Sequence, residues 1–123
     1  MNAAPVLLLV EPSPVLRLRF YAWLKSVIPN TRILIAANGL EALNLAMQEK
    51  PSHILVEMDL PDTNGTEIVK QMRQRFPTAR IIVTGWYDSR LILEIVQSVG
   101  ADGFILKNKL HNELLALWEV PPE

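Results

Sequence analysis

Cysteine is absent from the 123-residue chain, which excludes a disulfide framework, a thiolate metal site and a cysteine nucleophile. That lack suits a reducing compartment. An excess of either charge is missing too: 12 Lys and Arg stand against 13 Asp and Glu, for a formal net charge of −1. No global field is left to draw nucleic acid or an anionic membrane. Histidine is scarce, and neither His53 nor His111 has a partner at ligand spacing. The five glycines form no P-loop, no Rossmann triplet and no nucleophile elbow. Long apolar runs are lacking as well. Val6-Leu7-Leu8-Leu9-Val10 stops at Glu11, and the preceding Met1-Asn2-Ala3-Ala4-Pro5 carries no basic residue of a secretory signal. A soluble, cytoplasmic protein is expected. Half the residues are apolar and 20% are charged, which is globular rather than disordered composition. The length predicts one domain spanning 1–123.

Short apolar runs alternate with stretches of helical period. Val6 to Val10 is continuously apolar, as in a parallel strand covered on both faces. Ser13-Pro14 supplies an N-cap and a first-turn proline, and Leu16, Phe20, Trp23, Leu24 and Val27 follow at helical spacing. Ile33-Leu34-Ile35 reads as the second strand, and Asn38-Gly39 leads into a helix with Leu40, Leu43 and Met47 inward. Ile54-Leu55-Val56 is the third strand, and the next helix turns Ile68, Met72 and Phe76 inward. Ile81-Ile82-Val83 is the fourth. Asp88 or Ser89 then caps a helix with Ile92, Ile95, Val96 and Val99 inward, stopped at Gly100. Phe104-Ile105-Leu106 is the fifth strand, and a last helix spans 109–118. Five β–α units predict an α/β fold with a parallel sheet and helices on both faces.

Ligands in such folds bind outside the carboxyl ends of the strands. Glu11 and Pro12 stand there after the first strand, and Glu57, Met58 and Asp59 after the third. Thr84, Gly85 and Trp86 follow the fourth, and Lys107 and Asn108 the fifth. Carboxylates, a hydroxyl and an ammonium at one sheet edge resemble a Mg²⁺ and phosphoryl site. Without a cation Glu11 and Glu57 repel each other, so Lys107 is expected to pair with at least one of them. Arg17, Arg19 and Lys25 read as the solvated side of the first helix. Ser52 and His53 are expected on opposite strand faces and so form no catalytic dyad.

The chain resembles the response-regulator receiver domains of two-component phosphorelays along essentially its whole length. The carriers are Leu8-Leu9-Val10-Glu11-Pro12-Ser13-Pro14-Val15-Leu16-Arg17 and Asn38-Gly39-Leu40-Glu41-Ala42-Leu43. They continue with Glu57-Met58-Asp59-Leu60-Pro61-Asp62-Thr63-Asn64-Gly65, Ile81-Ile82-Val83-Thr84-Gly85 and Gly100-Ala101-Asp102-Gly103-Phe104-Ile105-Leu106-Lys107. The resemblance implies a flavodoxin-like, doubly wound five-stranded sheet of order 2-1-3-4-5 with five helices. It implies that Glu57 occupies the phosphoacceptor position and that Glu11, Glu57 and the Asp59 carbonyl lie where family members bind metal. Thr84 and Phe104 match the switch residues, and Lys107 matches the lysine that contacts phosphate.

Three positions depart from the family pattern. Pro12 replaces the second of two acidic residues and brings no side-chain oxygen. Glu57 is one methylene longer than the usual aspartate. Asn108 stands where many members carry a cis proline, and a cis bond before a non-proline costs roughly 3 kcal/mol, so a trans bond is predicted. The first two undercut metal-dependent phosphotransfer, which depends on an acceptor oxygen and Mg²⁺ held in line. The favoured reading is a degenerate pseudo-receiver, not an enzyme, with no cofactor or only weak Mg²⁺. The alternatives are a Mg²⁺-binding receiver that accepts phosphate weakly and an unrelated flavodoxin-like anion- or ligand-binding module.

Leu91 and Leu93 on the fourth helix, with Trp118 at the end of the last, add apolar surface beyond the core stripes. The resemblance makes the face formed by the fourth helix, fifth strand and fifth helix a surface for a homodimer or an output partner. A sensor histidine kinase or another signalling protein is the expected partner, with no membrane and no nucleic acid contacted by this domain. The Lys107-Asn108 pair is also similar to that of receivers preceding a helix-turn-helix output domain.

Overall fold

The computed structural model describes residues 4–117. Strands β1 (Val6–Val10), β2 (Arg32–Ala36), β3 (His53–Glu57), β4 (Arg80–Gly85) and β5 (Gly103–Leu106) alternate with five helices. These are α1 (Pro14–Val27), α2 (Gly39–Glu49), α3 (Gly65–Arg75), α4 (Arg90–Ser98) and α5 (Leu110–Leu117). A single 3₁₀ turn, Lys107–Lys109, joins β5 to α5. All strand pairs are parallel, in the order β2-β1-β3-β4-β5. The predicted flavodoxin-like α/β architecture is therefore present. Among the described residues there is no cis peptide bond, so the bond between Lys107 and Asn108 is trans.

Period-2 alternation explains the continuous apolar runs. Leu8, Val10, Ile54, Val56, Ile81 and Val83 face α2, α3 and α4. Leu7, Leu9, Leu55, Ile82 and Ile105 face Phe20 and Leu24 of α1 and Leu110 and Leu114 of α5. The helix starts are read from their caps. Ser13, Asn38, Asn64 and Ser89 each accept a backbone N–H from three residues on. Ser89, not Asp88, is thus the cap of α4. Arg73 closes the opposite end of the sheet, donating to the carbonyls of Gly100 and Ala79 and pairing with Asp102 at 3.0 Å.

Several predicted inward residues point elsewhere. Leu40 is 64% exposed and Met47 also faces out, while Ala42 and Ala46 are buried against the sheet. The inward stripe of α2 begins one residue earlier than predicted, because alanines let the helix sit close to β1 and β2. Ile28, in the turn after α1, takes the buried place expected for Val27. In α4 only Val96 is fully buried, with Ile92 and Val99 partly so, and Ile95 lies at the solvent boundary. Ser52 and His53 do touch: Ser52 Oγ lies 2.8 Å from His53 Nδ1, because Ser52 precedes the strand and is free of its alternation.

Among the described residues, no helix is long and apolar enough to cross a membrane. Trp118 lies outside the described residues.

Gly65 begins α3 under the end of β3. A Cβ there would overlap the Glu57 carbonyl oxygen and sit 2.9 Å from Met58 Cα, so rigid backbone would have to move. At Gly103 the nearest atoms are side-chain tips, Ile82 Cδ1 at 3.3 Å and Leu117 Cδ1 at 3.5 Å. In urea denaturation G65A is expected to lose about 3 kcal/mol, and G103A less than about 1 kcal/mol. Equal losses would contradict this account of the β3–α3 junction.

Candidate functional site

The strand order brings the carboxyl ends of β1, β3 and β4 side by side, with the turn after β5 beside them. Glu11 follows β1 directly, and its N–H donates to the Ala36 carbonyl at 3.0 Å. Glu57 is the last residue of β3, in register with Thr84 of β4. The pairing extends one step further, where Met58 N–H donates to the Thr84 carbonyl at 2.8 Å. Lys107 opens the 3₁₀ turn. Glu11 and Glu57 therefore hang from the ends of buried strands, and Lys107 from the end of the partly buried edge strand β5.

Lys107 lies between the two glutamates. Its Nζ is 2.7 Å from Glu11 Oε1 and also ion-pairs with Glu57 Oε1. All three residues are buried: Glu11 is 1%, Glu57 4% and Lys107 5% exposed. Two carboxylates against one ammonium leave one formal negative charge inside the protein. Backbone donors offset it. Ser13 N–H reaches Glu11 Oε2 at 2.9 Å, and Asp59 N–H reaches Glu57 Oε2 at 3.2 Å. Such a cluster is stable only while every member keeps its partners; removing one side of a buried pair costs about 3–5 kcal/mol. The expected pairing of Lys107 is present, and it engages both glutamates.

The other predicted site residues sort differently. Thr84 is buried beside Glu57. Phe104 is half-buried with its ring against Gly85. A Cβ on Gly85 would lie 3.1 Å from Phe104 Cζ and 3.9 Å from Glu57 Oε2, so the missing side chain admits the ring next to the carboxylate. The Asp59 side chain is exposed, not gathered with the glutamates. Its residue forms a bridge to Asn64 that closes the β3–α3 loop.

Pro12 offers no donor, and both glutamates are engaged by Lys107. Among the described residues, no group of three His, Cys, Asp or Glu side chains is placed to hold a metal ion. These residues do not fit a hard divalent cation, which asks for several free oxygen ligands.

Three polar contacts were not legible from the sequence. Arg17, read as solvated, donates through Nη1 to the Glu11 and Pro12 carbonyls at 2.8 and 3.3 Å, tying down the β1–α1 loop. Its position one turn into α1 was the available signal. Trp86 Cα follows β4 and its indole face covers the Lys107 ammonium, 5.2 Å from Nζ to the ring centroid. Asp62, in the β3–α3 loop, accepts the N–H groups of Gly39 and Leu40 at 2.8 and 3.0 Å, so it caps α2 from a distant loop. Those two hydrogen bonds, Gly39 first, hold its carboxyl below the usual aspartate range.

The response regulator receiver domain family matches residues 7–119, and the chain belongs to that family. It is 34% identical to the uncharacterized transcriptional regulatory protein YhcZ of Bacillus subtilis over 86 residues, covering 69% of this chain and 40% of that protein. It is 28% identical to the nitrate/nitrite response regulator protein NarL of Escherichia coli over 109 residues, covering 89% of this chain and 50% of that one. The chain thus spans half or less of the length of these relatives. Vibrio cholerae chemotaxis protein CheY4 shares the fold, with a TM-score of 0.84, 23% identity, and 94% of this chain and 100% of that chain covered. The receiver domain of NarL from Mycobacterium tuberculosis gives a TM-score of 0.82 at 21% identity, covering 94% and 93%. The family match removes the alternative of an unrelated flavodoxin-like module. The domain is a signalling receiver of the two-component type.

The depressed Asp62 pKa fixes the sign of a pH effect. Stability from the Asp62 contact is present above the unfolded aspartate pKa of about 3.9 and is lost as pH falls through the lower folded value. D62A is therefore expected to melt below the parent from neutral pH down to about pH 5, with the gap closing in more acidic buffer. A melting gap that stays constant into strong acid would contradict an ionised Asp62 cap.

Proposed function

We propose that this chain is a single receiver domain, 1–123, that signals by protein–protein contact without ordinary phosphorylation of its acceptor position. The observation carrying the reading is the Lys107 ammonium held between Glu11 and Glu57. In that arrangement the position that family members phosphorylate carries its carboxylate one methylene further out than an aspartate would, paired with the phosphate-contacting lysine. Glu57 thereby imitates part of a phosphorylated state. The imitation is weak, since a carboxylate has one charge and two oxygens where a phosphoryl group has nearly two charges and three. Thr84 and Phe104, beside Glu57 and Gly85, are the residues through which the pocket would act on the outer face.

The chain is not an enzyme on this reading, needs no resident metal and works in the cytoplasm. Its partner is a sensor histidine kinase or another signalling protein, or a second copy of itself. Support for contact through α4, β5 and α5 comes from the side chains there. Leu91 and Leu93 are exposed on α4, beside a groove of about 380 Å³ lined by Leu93, Val96, Ala101 and Phe104. Regulation of transcription, which the name of the relative YhcZ states for that protein, belongs to the same proposal.

Incubation with acetyl phosphate and Mg²⁺ followed by intact mass measurement tests the reading. The parent is expected to remain unmodified, while P12D/E57D, which restores an acidic pair and a shorter acceptor, gains one phosphate at position 57. A stoichiometric adduct on the parent would overturn the proposal in favour of a working receiver.

A further inference from the structure

Lys107 has three ammonium protons and three neighbours: Glu11, Glu57 and the face of Trp86. The first two are buried carboxylates. The third is a side chain that remains 55% exposed, although an indole ordinarily gains by packing away. Trp86 is not part of either core cluster. The cation beneath it lies at a distance where the ring quadrupole attracts an ammonium.

The place of Trp86 in the chain gives that contact a purpose. Gly85 ends β4, Trp86 and Tyr87 follow, and Ser89 caps α4 three residues after Trp86. Tyr87 is 80% exposed, so it does not anchor the segment. The first turn of α4 holds no acidic residue, and Val96 is the only α4 side chain that is fully buried. Beyond Val96 and the partly buried Ile92 and Val99, the helix that carries the exposed Leu91 and Leu93 buries little, and the loop feeding it lays one aromatic ring over the charge cluster.

We propose that Trp86 is the positioning residue that links the Glu11–Lys107–Glu57 cluster to α4. While Lys107 sits between the glutamates, its ammonium holds the indole and with it the β4–α4 loop. A change in the pocket that moves the ammonium releases the ring and loosens the start of α4. The consequence for signalling rests on the proposed reading of α4 as the contact face. The link itself does not, because it concerns how α4 is held, whether or not a partner docks there.

Native-state hydrogen exchange on W86F and W86L separates this link from plain packing. Phenylalanine keeps an aromatic face for the ammonium, whereas leucine keeps apolar bulk without a quadrupole. W86L is expected to speed exchange of the β4–α4 loop and first-turn α4 amides about tenfold, the factor a contact of cation–π strength carries. W86F is expected to stay within about threefold of the parent, and β1 and α2 amides to be unchanged in both. Equal behaviour of the two variants, no change at α4 in either, or acceleration spread evenly over all elements would each overturn the proposal. A phosphate adduct on the parent, by contrast, would overturn only the preceding reading and leave this one standing.

Discussion

One ammonium shared by two buried carboxylates organises the carboxyl edge of this sheet. Lys107 reaches Glu11 and Glu57 because the strand order places the ends of β1 and β3 at the centre and the turn after β5 within a side chain's length. A buried charge is tolerated only with its partners in place, so the three residues constrain one another. The loops around them are constrained in turn. Ser13 and Asp59 donate backbone N–H groups to the two glutamates, and Arg17 holds the carbonyls of the β1–α1 loop. Trp86 closes over the outer side. The pocket is a charge cluster first and a recess second.

This arrangement separates what the family fold dictates from what this chain does with it. The sheet, the three helices on one face and the two on the other, and the caps at Ser13, Asn38, Asn64 and Ser89 need only apolar strands and ordinary helix starts. They are indifferent to Pro12 and to the extra methylene of Glu57. Those two residues act only at the strand ends, where Pro12 removes an oxygen and the longer Glu57 reaches the lysine. A fold can therefore be kept intact while its site chemistry changes, since the two depend on different residues.

The strands were legible in the sequence as short, continuous apolar runs such as Val6 to Val10 alternating with helical stretches, while their order came from the family resemblance. The resemblance then supplied the register of Glu57, Thr84 and Lys107. Helix faces were less legible where small residues do the packing: in α2 the bulky Leu40 and Met47 drew the prediction outward by one position, while Ala42 and Ala46 make the contact. The pairing of Lys107 was predictable from repulsion between two glutamates. The clasps made by Arg17, Asp62 and Trp86 were not, because each joins elements through a loop whose path no periodicity reports. Asp59 was expected at the carboxylate cluster from its neighbourhood in sequence, yet the turn after β3 carries its side chain to solvent.

If Lys107 already supplies the positive charge this pocket requires, a divalent cation has no place in it. Thermal unfolding with and without Mg²⁺ tests that most directly, since a ligand that binds only the folded state raises the melting temperature with the logarithm of its concentration above the dissociation constant. In about 10 mM Mg²⁺ the melting temperature is expected to match that in chelator at equal ionic strength, because a site filled about 100-fold over its dissociation constant would add about 2.7 kcal/mol. A clear rise that grows with Mg²⁺ concentration and disappears in E11Q would contradict the account.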